Sequence, residues 1–256
     1  MIIHEGEFTI FYHNRKVFKV ISLKMRENST HLQGVLYDPT YLFYVVSFLP
    51  CVIILFCLCV FSVFDHKISA GDDENIPSLS EVMMLMPESR IFAVGMIITD
   101  FFMLPIFIIT HSIVTTICKN EKHEGSVFYR LIMDISAIIV FCSLIIISSV
   151  TISESKRIHM IFLHLFLFTM HSYFSSFDLI MLNSKSHKSK LSISFDILLF
   201  LCYIISTLMQ ILGNNIVEFI GNILQQIVFI MLFVKFLDMK RSIPKFQLQL
   251  VKKNNS

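Results

Sequence analysis

The stretch YLFYVVSFLPCVIILFCLCVFSVF fills residues 41–64 without one charged side chain. A helix needs about 20 apolar residues to cross the hydrocarbon layer of a bilayer. This block is long enough, and it exceeds the short apolar core of a cleaved leader. Residues 1–40 are polar and hold no such core, so the block is expected to stay as an uncleaved anchor. Five further blocks follow at roughly 91–118, 127–152, 158–182, 193–212 and 215–238. They explain why 55% of the chain is hydrophobic and why its mean hydropathy is +0.71. A soluble domain carries about 45–50% apolar residues, and they are scattered.

The expectation is an all-α polytopic membrane protein with six transmembrane helices. Residues 41–240 would form the membrane domain, between an N-terminal tail at 1–40 and a C-terminal tail at 241–256. Pro50 and Pro105 fall inside spans and suggest kinks, which bundles tolerate when neighbours satisfy the freed carbonyl.

Lys and Arg placement sets orientation. The first tail carries Arg15, Lys16, Lys19, Lys24 and Arg26, and the loop after the second block carries Lys119 and Lys122, with Arg130 just beyond. Lys185, Lys188 and Lys190 follow the fourth block, and Lys235, Lys240, Arg241, Lys245, Lys252 and Lys253 close the chain. Only Lys67, Arg90, Lys156 and Arg157 fall on the other side. Both termini are therefore expected in the cytosol, and the loops at 65–89, 153–157 and 213–214 in a lumen or outside. The sequons at Asn28 and Asn254 then lie on the cytosolic side and should stay unmodified.

This asymmetry absorbs the basic residues and leaves no nucleic-acid patch. The six cysteines lie in or beside spans, where thiols behave as small apolar groups, so neither a disulfide framework nor a metal site is expected. No cofactor motif is present. The stretch EFTIFYHNRKVFKVISLKM, residues 7–25, alternates weakly and suits a short hairpin or the membrane surface. The tail after Lys240 reads as disordered.

Ionisable groups inside spans normally face the bundle interior. Asp100 is about 15 Å deep in the second span at a rise of 1.5 Å per residue, and Asp134 lies about two turns from the cytosolic end of the third. His164, His171 and Asp178 recur every seven residues along the fourth, so they line one stripe. His159 opens that span, and Glu218, Asn222 and Gln225 lie near the lumenal start of the sixth. Imidazoles can move protons near neutral pH. His and Asp on facing helices could relay protons or hold a metal, or the same groups could tie helices together by hydrogen bonds. The stripe is expected to meet the second or third span, near Asp100 or Asp134. No HExxH, GxSxG or P-loop appears.

Between the first two blocks lies NIPSLSEVMMLMPESRIF, residues 75–92. Pro77, Ser78, Ser80, Glu81, Pro87, Glu88 and Phe92 give it the form P-S-x-S-[ED]-x5-P-E-x3-F. It resembles the first exterior loop of a six-helix family. That family includes the FGF-receptor-activating protein, the damage-regulated autophagy modulators and a Golgi factor that remodels GPI-anchor lipids. PSLS looks more like the GPI branch, and PESRIF fits both branches. SESKRIH, Ser153 to His159, is similar to a stretch of the GPI-remodelling proteins, and FVKFLDMK, residues 233–240, to the family's closing segment. Three features depart: Leu232 stands where the GPI branch has His, Gly221 where the family has Glu, and the family's Arg after Pro in the second helix is absent.

The resemblance implies reacylation of a lyso-GPI lipid, as catalyst or as essential cofactor, in the Golgi or endoplasmic reticulum. Its partner would be a GPI-anchor lipid or another membrane lipid. The candidate catalytic residues are His159, His164, His171 and Asp100. Ser78, Ser80, Glu81, Glu88 and Arg90 would meet the headgroup. The alternatives are a non-enzymatic modulator of autophagy or lipid distribution in lysosomal or plasma membrane, and a small transporter. The paired broken helices usual in transporters are not evident.

Overall fold

The computed structural model describes residues 8–14, 17–21, 35–37, 40–63, 86–121, 124–183, 190–243 and 246–250. Six helices carry the fold: α1 Thr40–Val63, α2 Glu88–Glu121, α3 Glu124–Ser149, α4 Ile152–Asn183, α5 Lys190–Leu212 and α6 Asn215–Ser242. All six are long and apolar enough to cross a membrane. The body is therefore all-α and multi-pass, as its apolar blocks require. Helices α1 and α2 run through Pro50 and Pro105.

Sequential helices pack on one another, and α6 returns to α1. Helix α4 also touches α2 and α6, which makes it the central helix. About two-thirds of its apolar window is buried (67%), against 22–39% in the other five. Elsewhere aliphatic side chains such as Ile138, Ile197 and Ile216 point outward, as lipid-facing surface should. Lipid is as apolar as Leu, so the helices are held by close packing and interhelical hydrogen bonds. Tyr173 of α4 meets Phe107 of α2 edge-on, with ring centroids 4.9 Å apart. Phe174 meets Phe236 of α6 in the same way at 5.0 Å. At Gly221 the backbones of α5 and α6 approach so closely that an added Cβ would stand 3.0 Å from the Ser206 carbonyl.

Hydroxyl groups within the spans turn back on their own helices. Thr99 donates to the Gly95 carbonyl at 2.9 Å, Thr110 to Ile106 at 2.6 Å and Thr169 to Leu165 at 2.6 Å. This pairing one turn back satisfies a hydroxyl where no water is present.

Outside the bundle, the two tails form one antiparallel sheet. Its strands are β1 Phe8–Asn14, β2 Val17–Ile21, β3 Val35–Tyr37 and β4 Phe246–Leu250, in the order β2-β1-β4-β3. The hairpin allowed for in the first tail is formed by β1 and β2, with Ile10 opposite Ile21. The expectation of a disordered C-terminal tail is corrected. Helix α6 continues to Ser242, and β4 pairs Phe8 with Leu250 and Val35 with the same residue on its other edge. Strand β4 reads FQLQL, the period-two alternation that suits a sheet. An even number of spans brings residues 40 and 242 to the same end of the bundle, which is what lets the tails meet.

Candidate functional site

The seven-residue repeat on α4 gives one stripe, but its neighbour differs from the expected one. His164 and His171 face α5, not Asp100 or Asp134. The His164 ring nitrogen Nδ1 is 3.2 Å from the Tyr203 hydroxyl. The His171 ring stacks 6.1 Å from Tyr203 and meets Phe200 edge-on at 5.4 Å. The physical reason is the central position of α4: its α5 side is an interior face too, so inward-facing does not single out α2. His164 is half-buried and His171 is 3% exposed. Neither ring nitrogen of His171 has a hydrogen-bond partner among the described residues. The seam between α4 and α5 thus holds two imidazoles and a phenol, flanked by the exposed apolar side chains of Ile161, Phe168 and Ile204.

Asp178, the third member of the stripe, belongs to a different constellation. Lys235 of α6 is fully buried, its Nζ 3.1 Å from Asp178 Oδ2, 2.9 Å from Asp196 Oδ1 of α5 and 3.1 Å from Asp238 Oδ2. It also donates to the Ser192 hydroxyl at 2.7 Å and to the Ser192 carbonyl at 3.0 Å. The Ser192 hydroxyl also reaches Asp178 Oδ2 at 2.8 Å and bonds Asp238. One ammonium therefore clamps the tail-proximal ends of α4, α5 and α6. Charges taken out of water hold together only when geometry and hydrogen bonds repay their desolvation, and here five oxygens surround one nitrogen. Ser192, Asp196 and Lys235 were not read as site residues. The available signal was Asp196 inside the fifth apolar block and Lys235 one turn before Asp238 inside the sixth.

His159 has a local task. Its Nδ1–H donates to the Val150 carbonyl at 2.8 Å, which pins the α3–α4 connection. The same connection carries a capping box: the Thr151 amide donates to the Glu154 carboxylate at 2.9 Å, and the Glu154 amide to the Thr151 hydroxyl at 3.4 Å. Ser155 breaks helical geometry and accepts from the Ile158 amide, so α4 is capped a second time. The Ser-Glu-x4-His segment thus orders a loop, with His159 buried beneath it.

Glu88 is the first residue of α2 and is fully buried, where the positive end of the helix favours an anion. Its carbonyl accepts from the Cys57 thiol of α1 at 3.7 Å. Arg90 is exposed. Ser78, Ser80 and Glu81 lie outside the described residues. Asp100 is 1% exposed on α2, and among the described residues no hydrogen bond joins it to His159, His164 or His171. Near the other mouth, the Gln210 side-chain amide of α5 donates to Asn222 at 3.0 Å and to Gln225 at 2.9 Å on α6. Among the described residues no group of three His, Cys, Asp or Glu side chains is placed to hold a metal ion, the three carboxylates around Lys235 being occupied by its ammonium.

A family model described as Frag1/DRAM/Sfk1/Cwh43P N-terminal domain matches residues 39–219. No curated protein and no solved structure matches the chain.

Proposed function

We propose a function from one premise: the chain belongs to the Frag1/DRAM/Sfk1/Cwh43P family. It acts on membrane lipid in the secretory pathway, in the Golgi or endoplasmic reticulum, and its substrate is the lipid of a GPI anchor that has lost one acyl chain. The observation that carries this reading is the α4–α5 seam. An acyl chain can lie along Ile161, Phe168 and Ile204 while its polar end meets His164 and Tyr203. In such a transfer the lyso-lipid hydroxyl attacks the carbonyl of an acyl donor such as an acyl thioester, the C–S bond breaks, and an imidazole at that depth can take the hydroxyl proton and return it to the departing thiolate. The loop at 75–92, whose PSLS looks like that of the GPI branch, supports this reading.

Fatty-acid analysis of GPI anchors in cells lacking the chain tests this directly; an unchanged anchor composition would remove the reading. His164→Ala and Tyr203→Phe should each reach normal abundance yet lower remodelling per molecule about a hundredfold or more, the low end of what a positioned acid or base contributes. A stabilising role predicts the reverse, with abundance and total activity falling together.

One observation favours a second reading, a non-enzymatic role in membrane lipid distribution. The GPI branch has a His where this chain has Leu232, and Leu232 is fully buried in the apolar core. Under that reading the His164 and Tyr203 variants keep full activity per molecule.

The orientation is part of the proposal. With both tails cytosolic, a glycosylation tag inserted near residue 72 should be modified and Asn28 should not. Glycan on Asn28 would invert every loop assignment.

A further inference from the structure

In the Lys235 cluster the ammonium and the carboxylates of Asp178 and Asp196 are sealed inside the bundle. His111 of α2 and Asp134 of α3 are different, with side chains that keep 50% and 31% of their surface exposed. The exposed residues around them are apolar: Leu104 and Ile108 on α2, Leu131, Ile135 and Ile138 on α3. His111 Nδ1–H donates to Asp134 Oδ1 at 2.7 Å, so ring and carboxylate lie side by side at one depth. The Thr115 hydroxyl stands 3.4 Å from the other ring nitrogen. Ionisable groups in a span are costly against hydrocarbon and normally face protein. Their mutual hydrogen bond pairs them without covering them.

We propose that this face of α2 and α3 is the interface between two copies of the chain, related by a two-fold axis along the membrane normal. Two copies inserted the same way can form a closed pair only about that axis, because an in-plane axis would invert one of them. The rotation reverses left and right on the facing surface. His111 then meets the partner's Asp134, and Asp134 meets the partner's His111. A patch holding one base and one acid side by side at equal depth is thus complementary to its own image, and the exposed aliphatic side chains pack around it.

The test uses full-length chains with two different affinity tags, co-expressed and extracted in mild detergent. Wild-type copies should capture each other. His111→Asp in both copies sets acid against acid, and Asp134→His in both sets base against base; each should reduce capture about tenfold or more. One copy of each variant restores opposite charges across the axis and should recover capture. In native membranes, with Cys59 and Cys142 replaced by Ser, oxidation should cross-link Leu131→Cys or Ile138→Cys to its own kind, and Ile197→Cys, on a helix that does not pack on α2 or α3, should not cross-link. Failure of the mixed pair to recover, absence of any cross-link at 131 and 138, or capture of a different protein with no second copy each overturns the proposal.

Discussion

Lys235→Met is expected to deplete the folded protein more than any other single change. It removes the ammonium that Asp178, Asp196 and Asp238 share while leaving Asp178 and Asp196 sealed from solvent. Breaking a buried ionic group by deleting one partner costs about 3–5 kcal/mol. That is a large share of the roughly 5–15 kcal/mol that keeps a protein folded. The thermal midpoint of the detergent-extracted protein should drop sharply, and its abundance in membranes with it. The carboxylates should behave differently from one another. Asp238 keeps 36% of its side-chain surface exposed, so Asp238→Asn should be mild. The triple change Lys235→Met, Asp178→Asn, Asp196→Asn should recover much of the loss, because no uncompensated buried charge remains. If Lys235→Met proves as stable as wild type, the cluster is not the clamp described above.

Phe174→Ala should be the next most damaging. Phe174 is fully buried on the central helix between Tyr173 and Phe236. In a water-soluble protein such a truncation costs about 3–5 kcal/mol, part transfer and part cavity. In a bilayer the separated helices already sit in hydrocarbon, so the transfer part largely disappears. The cavity part remains: roughly 100 Å³ of lost side chain at about 24 cal/mol per Å³ gives about 2–3 kcal/mol. Phe168→Ala is the matched control, on the same helix and facing lipid at 52% exposure. It should leave the thermal midpoint nearly unchanged. Equal damage from both would mean that α4 is not packed as described.

Six spans were legible because twenty apolar residues without charge have few other uses. The repeat of His164, His171 and Asp178 was legible too, because seven residues bring a helix back to nearly the same face. What that face meets was not legible. Periodicity gives a direction in one helix and nothing about its neighbour, so the contact with Tyr203 and Ser192 could only come from the packing. Lys235 was hidden by its address. A Lys near the end of the last span counts as a topological charge, and sequence does not say whether its head reaches water or folds back among three carboxylates. The burial of Glu88 was hidden for a related reason, since a Glu after Pro reads as loop until the helix is seen to begin there. The alternation in FQLQL was visible but too short to stand alone, and its partners lie more than 200 residues away.

That last pairing bears on how the protein is made. Strand β4 lies between β1 and β3, and it follows all six spans in the chain. During synthesis the β1–β2 hairpin can close as soon as it emerges, but β1 and β3 cannot be joined until the final helix has been threaded into the bilayer. Until then their inner edges wait for a strand that has not yet been translated. Closure of the sheet therefore marks a chain whose six spans have all been made. A ribosome stalled in the fifth span leaves the two strands apart, with open edges available to quality-control factors that recognise unpaired backbone.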